Sequence, residues 1–416
     1  MALQLQSALG LALLIFVGWL LSERRGRPPW RMMAIALLLQ GAIAAVLLHL
    51  PAARVALGSL NRLVLGLQEA TLAGTSFVFG YVGGGGTPFD TVHPAQTFIL
   101  AFQALPLLIV VSALSALLWH WRILPVIIRA IAWALGRAMG VSGATSLATA
   151  ANVFVGMLEA PLLIRPVLGA LSRADLFLLM TTGLATIGGT MMVLEASVLA
   201  RAIPDALGHI LVASMISLPA SVLFARVMIP GDEGPPSTAD TRSPYASAMD
   251  AVVQGTEQGL SLFLRIIAIL IVAVAFVALA DSLIALAPAV GGAPLSLERL
   301  LGCLFTPLAL ALGVPWEQAG TAATLLGKRV VLNELLAYLD LAALPDGTLD
   351  LRVRLILVYA LSGFANFGSL GILLGGLTAL IPERRLEILA LGWRSLVAGL
   401  LATAMTGAVI GLLLSP

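Results

Sequence analysis

Residues 142–166 read SGATSLATAANVFVGMLEAPLLIRP, and residues 325–341 read LLGKRVVLNELLAYLDL. Both are apolar enough to enter a bilayer, yet both carry polar residues at their centres, with Gly156 and Pro161 placed to break the first helix and Gly327 the second. Each also puts one carboxylate, Glu159 or Glu334, at expected membrane depth. An ionised carboxylate there costs about 2.5–3.5 kcal/mol even on a lenient insertion scale, so both side chains call for a polar cavity. Ser142–Leu171 and Gln318–Leu344 are therefore read as re-entrant helical hairpins. The alternative is that Arg165 or Lys328 pairs with the carboxylate only to hold the hairpin.

Working outward, the apolar stretch after each hairpin is interrupted too, at TGLATIGGT (182–190) and at SGFANFGS (362–369). A further apolar helix precedes each hairpin, Leu124–Met139 and Leu297–Val314. Helix, hairpin, broken helix and plain helix thus occur twice, the inverted-repeat plan of secondary transporters. Four breaks in membrane helices need partners for their freed amides and carbonyls, and a shared polar cavity supplies them.

The whole chain agrees with that reading. Of 416 residues, 60% are hydrophobic and 11% charged, and the mean hydropathy is +1.03, outside the range of soluble domains. The long runs lack the alternation of outer-membrane strands, so helices carry the spans. They fall at about 6–22, 32–51, 98–119, 176–200, 206–228, 259–285, 351–380 and 388–413. The fold class is all-α: a polytopic membrane protein with eight transmembrane helices plus two re-entrant helical hairpins in inverted repeats. Leu9–Leu21 reads as the first span and not as a secretory signal, because its arginines follow it. Arg24, Arg25, Arg27 and Arg31 then mark a cytoplasmic loop, and Arg122, Arg129, Arg137, Arg384 and Arg385 fall on the same side. Both termini are then outside. Pro230–Ala246 reads as a polar cytoplasmic linker, and Pro51–Thr97 as an irregular outer loop around GYVGGGGTP.

Other functions find no support. Net charge is +2 and no basic stripe is interleaved with aromatics, so nucleic acid is not an expected partner. The single Cys303 and the scattered His49, His93, His120 and His209 form no metal-ligand spacing. There is no GxSxG, HExxH or P-loop, so an enzyme is not expected. A channel or a membrane sensor remains open, since re-entrant hairpins also build pores.

At the hairpins and breaks the chain resembles the concentrative nucleoside transporter family, over most of residues 98–413. The segments that carry it are FQALPLLIVVSALSALLW (102–119), 142–166 as above, LMTTGLATIGGT (179–190), 325–341 and SGFANFGS. The pattern G-K-x-x-x-x-N-E-x-x-A-Y over Gly327–Tyr338 looks like the family's second-hairpin signature; residues 1–97 match only loosely. The resemblance implies a homotrimer in a bacterial inner membrane, with scaffold helices holding a mobile transport domain. It divides the chain into N-terminal scaffold helices and outer loop (1–119), a first transport repeat (120–228), a cytoplasmic linker (229–258), a scaffold helix (259–285) and a second transport repeat (296–413).

By the same resemblance, Glu334 and Asn366, joined by Ser369, would bond ribose hydroxyls, and Phe364 would pack against the nucleoside. Gly156, Met157, Leu158 and Glu159 at the first hairpin tip, with Met191 and Asn333, complete the implied substrate set. A coupling sodium ion would meet Asn152, the Val155 carbonyl, Thr186 and the Ile187 carbonyl; a proton is the alternative coupling ion. The chemistry suits these roles: a carboxylate accepts from two neighbouring hydroxyls, an amide gives and takes, and oxygen ligands suit a hard cation. Blander roles stay open, namely helix packing for Phe364, helix-to-helix hydrogen bonds for Asn366 and Ser369, bracing of the tip for Asn333, and capping or backbone bonding for Asn152 and Thr186.

The sequence departs from the family twice. The first hairpin tip usually reads Gly-Gln-(Thr or Ser)-Glu, whereas Met157 and Leu158 here offer apolar surface in place of two polar groups. Base selectivity should be altered or broadened, or the solute be a different small polar molecule, or the pair be plain packing. Glu195, in MMVLEASVL, has no family role; it titrates within a proton pathway or lies near the outer interface.

Overall fold

A computed structural model describes residues 2–26, 29–93, 97–200, 202–231, 244–289 and 294–414. Arg27, most of the Pro230–Ala246 linker and the side chain of His49 lie outside the described part. Eighteen α-helices run through it, and no strand occurs among the described residues. The first group is α1 (Ala2–Leu20), α2 (Trp30–His49), α3 (Pro51–Phe79), α4 (Leu107–His120) and α5 (Ile123–Met139). The first hairpin is α6 (Gly143–Val155), α7 (Glu159–Leu162) and α8 (Arg165–Leu168), followed by α9 (Arg173–Ala185), α10 (Gly189–Leu199) and α11 (Ala206–Met228). After α12 (Ala248–Ile284) and α13 (Leu297–Ala311) come the second hairpin, α14 (Trp316–Val331) and α15 (Glu334–Ala343), then α16 (Leu351–Leu361), α17 (Phe367–Leu380) and α18 (Arg385–Leu413).

Local chemistry sets where many of these helices begin. The side chains of Ser172, Ser247, Ser296, Asn333, Asp350 and Asn366 each accept a bond from the backbone N–H three residues on. In a lipid-embedded protein such caps matter more than usual, because no water satisfies the first amides of a helix.

The breaks fall where polar or glycine residues interrupt the apolar runs. The first hairpin turns at Gly156, whose φ of +99° favours a residue without Cβ. The broken spans part between α9 and α10 and between α16 and α17, as expected. The second hairpin does not break at Gly327. That residue lies inside α14, where a Cβ would stand 2.6 Å from the Leu301 Cβ of α13, so it serves close helix packing. The turn comes at Leu332 and Asn333, between α14 and α15. Helices α13 and α14 meet at a sharp bend of 116°.

Two further readings need correction. The expected outer loop is helical over Pro51–Phe79, so irregular backbone is confined to the part after it. Pro51, where the expected loop starts, occupies the first helical position, where its missing N–H costs nothing. The expected scaffold helix begins at Ala248 and runs 37 residues, absorbing roughly the last third of the expected linker (229–258). Among the described residues, eight helical segments are long and apolar enough to cross a membrane. The expected number is the same but the membership differs: Val55–Gly83 qualifies, and α16 and α17 are too short singly.

Burial separates two kinds of helix. In the most apolar windows of Arg173–Leu199, Ala206–Met228 and Pro382–Leu413, 83%, 89% and 78% of residues are buried, against 6% for Ala248–Ile284. The repeats therefore form the core, and α12 shows most of its apolar surface to whatever surrounds the chain. It is fastened on one side to α4 by the G-x-x-x-G pair Gly255 and Gly259, where a Cβ would stand 2.8 Å and 2.6 Å from the Cα atoms of Ala113 and Ile109.

Candidate functional site

The hairpin tips, the span breaks and one face of α12 enclose a cavity of about 320 Å³, a size typical of small-molecule sites. Gly156, Met157, Leu158, Glu159, Met191, Asn333, Glu334, Phe364, Asn366 and Ser369 all line it. The structure thus brings the whole expected substrate set together, with both hairpin carboxylates on one chamber. Neither glutamate relies on the alternative partners: Lys328 pairs with Glu298 of α13 and Asp340 of α15, and no ion pair joins Arg165 to Glu159 among the described residues.

Each polar group is placed by a helix end. Glu334 opens α15, and Asn333 caps the same helix through a 2.9 Å bond from Leu336 N to its Oδ1. Asn366 caps α17, accepting from Ser369 N at 2.7 Å, and donates its Nδ2 to Glu334 Oε2 at 2.9 Å. Gly188 and Thr190, at the start of α10, also line the chamber. Three half-helix N-termini therefore face one space, a positive setting for acceptor-rich solutes and for the carboxylate. Asn333 both braces the tip and borders the cavity.

The break between α16 and α17 is held by an arginine that sequence reasoning passed over. Arg329, only 2% exposed, donates to the carbonyls of Ala360 (2.8 Å) and Gly363 (3.1 and 3.3 Å) and to Thr403 Oγ1 (2.8 Å). These carbonyls lose their helical partners where α16 stops, so the guanidinium supplies donors that lipid does not. Tyr338 does the same for Val358 O at 2.7 Å.

The expected ion ligands gather at the other break. The end of α6 abuts the gap between α9 and α10: a Cβ on Gly188 would stand 3.0 Å from Gly156 Cα and 3.7 Å from the Val155 carbonyl carbon. Asn152 is buried, and its Oδ1 has no hydrogen-bond partner. Thr186 Oγ1 donates to Thr182 O at 2.9 Å, the blander role, which leaves its lone pairs free. Ile187 O accepts from Ser214 Oγ at 3.4 Å. A buried amide oxygen without a donor beside carbonyl and hydroxyl oxygens fits a hard monovalent cation. No cluster of three or more His, Cys, Asp or Glu side chains that could hold a metal occurs among the described residues.

One wall was not foreseen. Gln258, Ser261, Leu262, Arg265, Ile266 and Ile269 of α12 line the chamber, and Arg265 interacts electrostatically with Glu159. Their spacing of three, four and seven traces one helix face, and an arginine inside an apolar run is the signal that could have revealed it.

A re-entrant, twice-repeated helical core around a polar chamber defines a membrane protein of the secondary-carrier architecture. Family models described as "Na+ dependent nucleoside transporter N-terminus", "Nucleoside recognition" gate and "Na+ dependent nucleoside transporter C-terminus" match residues 9–82, 101–202 and 209–411. The first of these reaches the part of the chain whose resemblance is loose by eye. The chain is 32% identical over 412 residues to the "Nucleoside permease NupC" of Helicobacter pylori, covering 98% of this chain and 97% of that one. It superposes on CNTnw in an inward-facing substrate-bound state with a TM-score of 0.89, at 32% identity and 99% and 97% coverage. With a doubly substituted CNTnw in an outward-facing state the TM-score is 0.90, at the same identity and coverage. The chain belongs to the concentrative nucleoside transporter family.

Proposed function

We propose that the protein is a symporter that imports nucleosides across a bacterial inner membrane by alternating access, driven by sodium. The observation that carries this reading is the shared cavity in which Glu334, bonded to Asn366, stands beside Ser369 and Phe364. A carboxylate positioned by an amide suits a pair of vicinal hydroxyls, and the aromatic face suits the apolar side of a sugar or base. The sodium part rests on the unpartnered Asn152 Oδ1 among oxygen ligands, and on the match to the Na+ dependent nucleoside transporter family models. Alternating access draws support from the likeness to relatives in both inward- and outward-facing states. The sparse burial of α12 gives room for a partner chain, in keeping with a homotrimer in the bilayer.

Met157 and Leu158 line the chamber where the family carries polar groups, so the base is met by apolar surface and selectivity is altered or broadened. The same observation favours the second reading, a carrier for a different small polar solute. Uptake of labelled uridine and adenosine into proteoliposomes, with sodium and proton gradients imposed separately, tests both. Sodium-driven uptake of at least one nucleoside is expected. Failure of either nucleoside to enter or to displace the other, together with unchanged behaviour of Glu334→Ala, would falsify the nucleoside assignment. Exchange of external for preloaded substrate separates a carrier from a pore.

A further inference from the structure

One carboxylate lies just behind the chamber without a use in the function above. Glu195 on α10 is 0% exposed, and neither of its oxygens has a hydrogen-bond partner. Met191, one turn earlier on the same helix face, lines the cavity.

The ionisable groups around it come from several helices. Glu334 of α15 and Arg329 of α14 interact with it electrostatically, as does Tyr338. None gives it a hydrogen bond: Arg329 is directed at Ala360, Gly363 and Thr403, and Tyr338 at Val358. Of the other helices packed on α10, α6 carries no ionisable residue. On α11, His209 bonds Tyr359 and Arg226 bonds Asp175. On α4, His120 lies in the last turn, and on α3 Arg62 and Glu69 are exposed.

The buried cluster therefore holds two acids and one fixed cation. With both acids ionised it carries an excess negative charge, and the carboxylate of Glu195, fully buried, has no donor at all. A single proton removes the excess. Glu334 receives Asn366 and faces the cavity, so the group that holds the proton is the one without a donor.

We propose that Glu195 is a proton-binding site of the carrier, filled from the chamber side, and that its occupancy is linked to solute at Glu334. The linkage rests on the nucleoside reading. Hydroxyls that donate to Glu334 stabilise its ionised form, and an ionised Glu334 disfavours a second negative charge on Glu195. Solute and proton thereby favour each other, and reciprocity makes each raise the affinity of the other. Sodium at its separate ligands remains a driving ion, so the proton is a second coupled cation.

The test uses the full chain in proteoliposomes with a pH-sensitive dye inside and an inward sodium gradient. Wild type is expected to acidify the lumen as labelled nucleoside enters, with apparent affinity rising roughly five- to tenfold as external pH falls from about 8 to about 6. Glu195→Gln and the volume-matched Glu195→Met should carry nucleoside on sodium with no acidification and a flat pH profile. Infrared spectra of the purified chain give an answer that needs no transport: wild type should show a buried protonated carboxyl band that both variants lack. Absence of that band from wild type, acidification that survives in the variants, or sodium-driven uptake by wild type with no acidification overturns the proposal. If no nucleoside enters under any gradient while the band is present, the nucleoside reading fails and the proton site stands.

Discussion

Asn366 and Glu334, 32 residues apart, are joined by a 2.9 Å hydrogen bond from Nδ2 to Oε2, and each stands at the first turn of its own helix. The bond ties the tip of the second hairpin to the break in the following span. It presents a carboxylate already oriented, so little ordering is left for a solute to impose.

Glu334→Ala should therefore weaken nucleoside binding by about 3 kcal/mol, roughly 150-fold, since charge-assisted hydrogen bonds are lost and Asn366 is left without its acceptor. Asn366→Ala should cost less, and the double variant less than the sum of the two, because the residues act as one unit. Calorimetric titration of the purified variants measures this; equal affinity in wild type and Glu334→Ala would contradict the assigned role.

At the other break, Asn152→Ala removes the unpartnered amide oxygen. The sodium concentration for half-maximal uptake should rise roughly tenfold, about 1.4 kcal/mol, while nucleoside affinity at saturating sodium stays near wild type. A sodium titration of uptake decides it, and an unshifted midpoint would remove Asn152 from the ion site.

Selectivity should follow the first hairpin tip. Met157→Gln restores an amide beside the base, and the ratio of uridine to adenosine uptake should change by roughly 10- to 200-fold, the range of about 1–3 kcal/mol for a single pocket contact. A ratio that stays within twofold would mean that Met157 is packing alone.

Much of this arrangement is legible in sequence because intramembrane polar residues are expensive and so stand out. Glu159, Glu334 and the two glycine-rich breaks announce themselves against apolar surroundings. What escaped did so for definable reasons. Helix α3 carries Arg62, Gln68 and Glu69 and begins with a proline, so it resembles a loop by composition although its backbone bonds close locally. Gln254, Glu257 and Gln258 hide the first turns of α12 in the same way. Gly327 illustrates the reverse error, since a glycine that permits close contact with Leu301 looks the same in sequence as one that ends a helix. Arg329 is silent until coordinates show which carbonyls it meets.

Arg329→Met should accordingly lower stability by about 3–5 kcal/mol, because buried carbonyls at Ala360 and Gly363 lose their donors. Arg329→Lys should recover only part, as an ammonium cannot span the same acceptors. Thermal unfolding in detergent reports the change, and a midpoint unmoved in Arg329→Met would rule out this bracing role.

A pH effect is expected outside the bilayer-spanning segments. Glu23, in the loop after α1, meets Arg173 and Arg394 at 2.8 Å each. The hydrogen bond from Arg173, foremost, holds its carboxyl below the usual value near 4.5. Since the folded value is the lower one, this contribution is complete above the unfolded value and fades as pH falls through the folded one. With partly exposed partners it amounts to at most about 1 kcal/mol. Glu23→Gln should flatten the acid-side decline in thermal midpoint and leave the neutral-pH slope alone; an identical decline in the variant would count against the ion pair.

The tight seating of Gly255 and Gly259 on α4 reaches further than packing. It makes α12 and α4 a single rail, whose free side supplies Gln258 and Arg265 to the chamber while the opposite wall comes from the hairpin tips. The chamber is thus a seam between two pieces and not a hole inside one, and any occupant is a rivet that spans them.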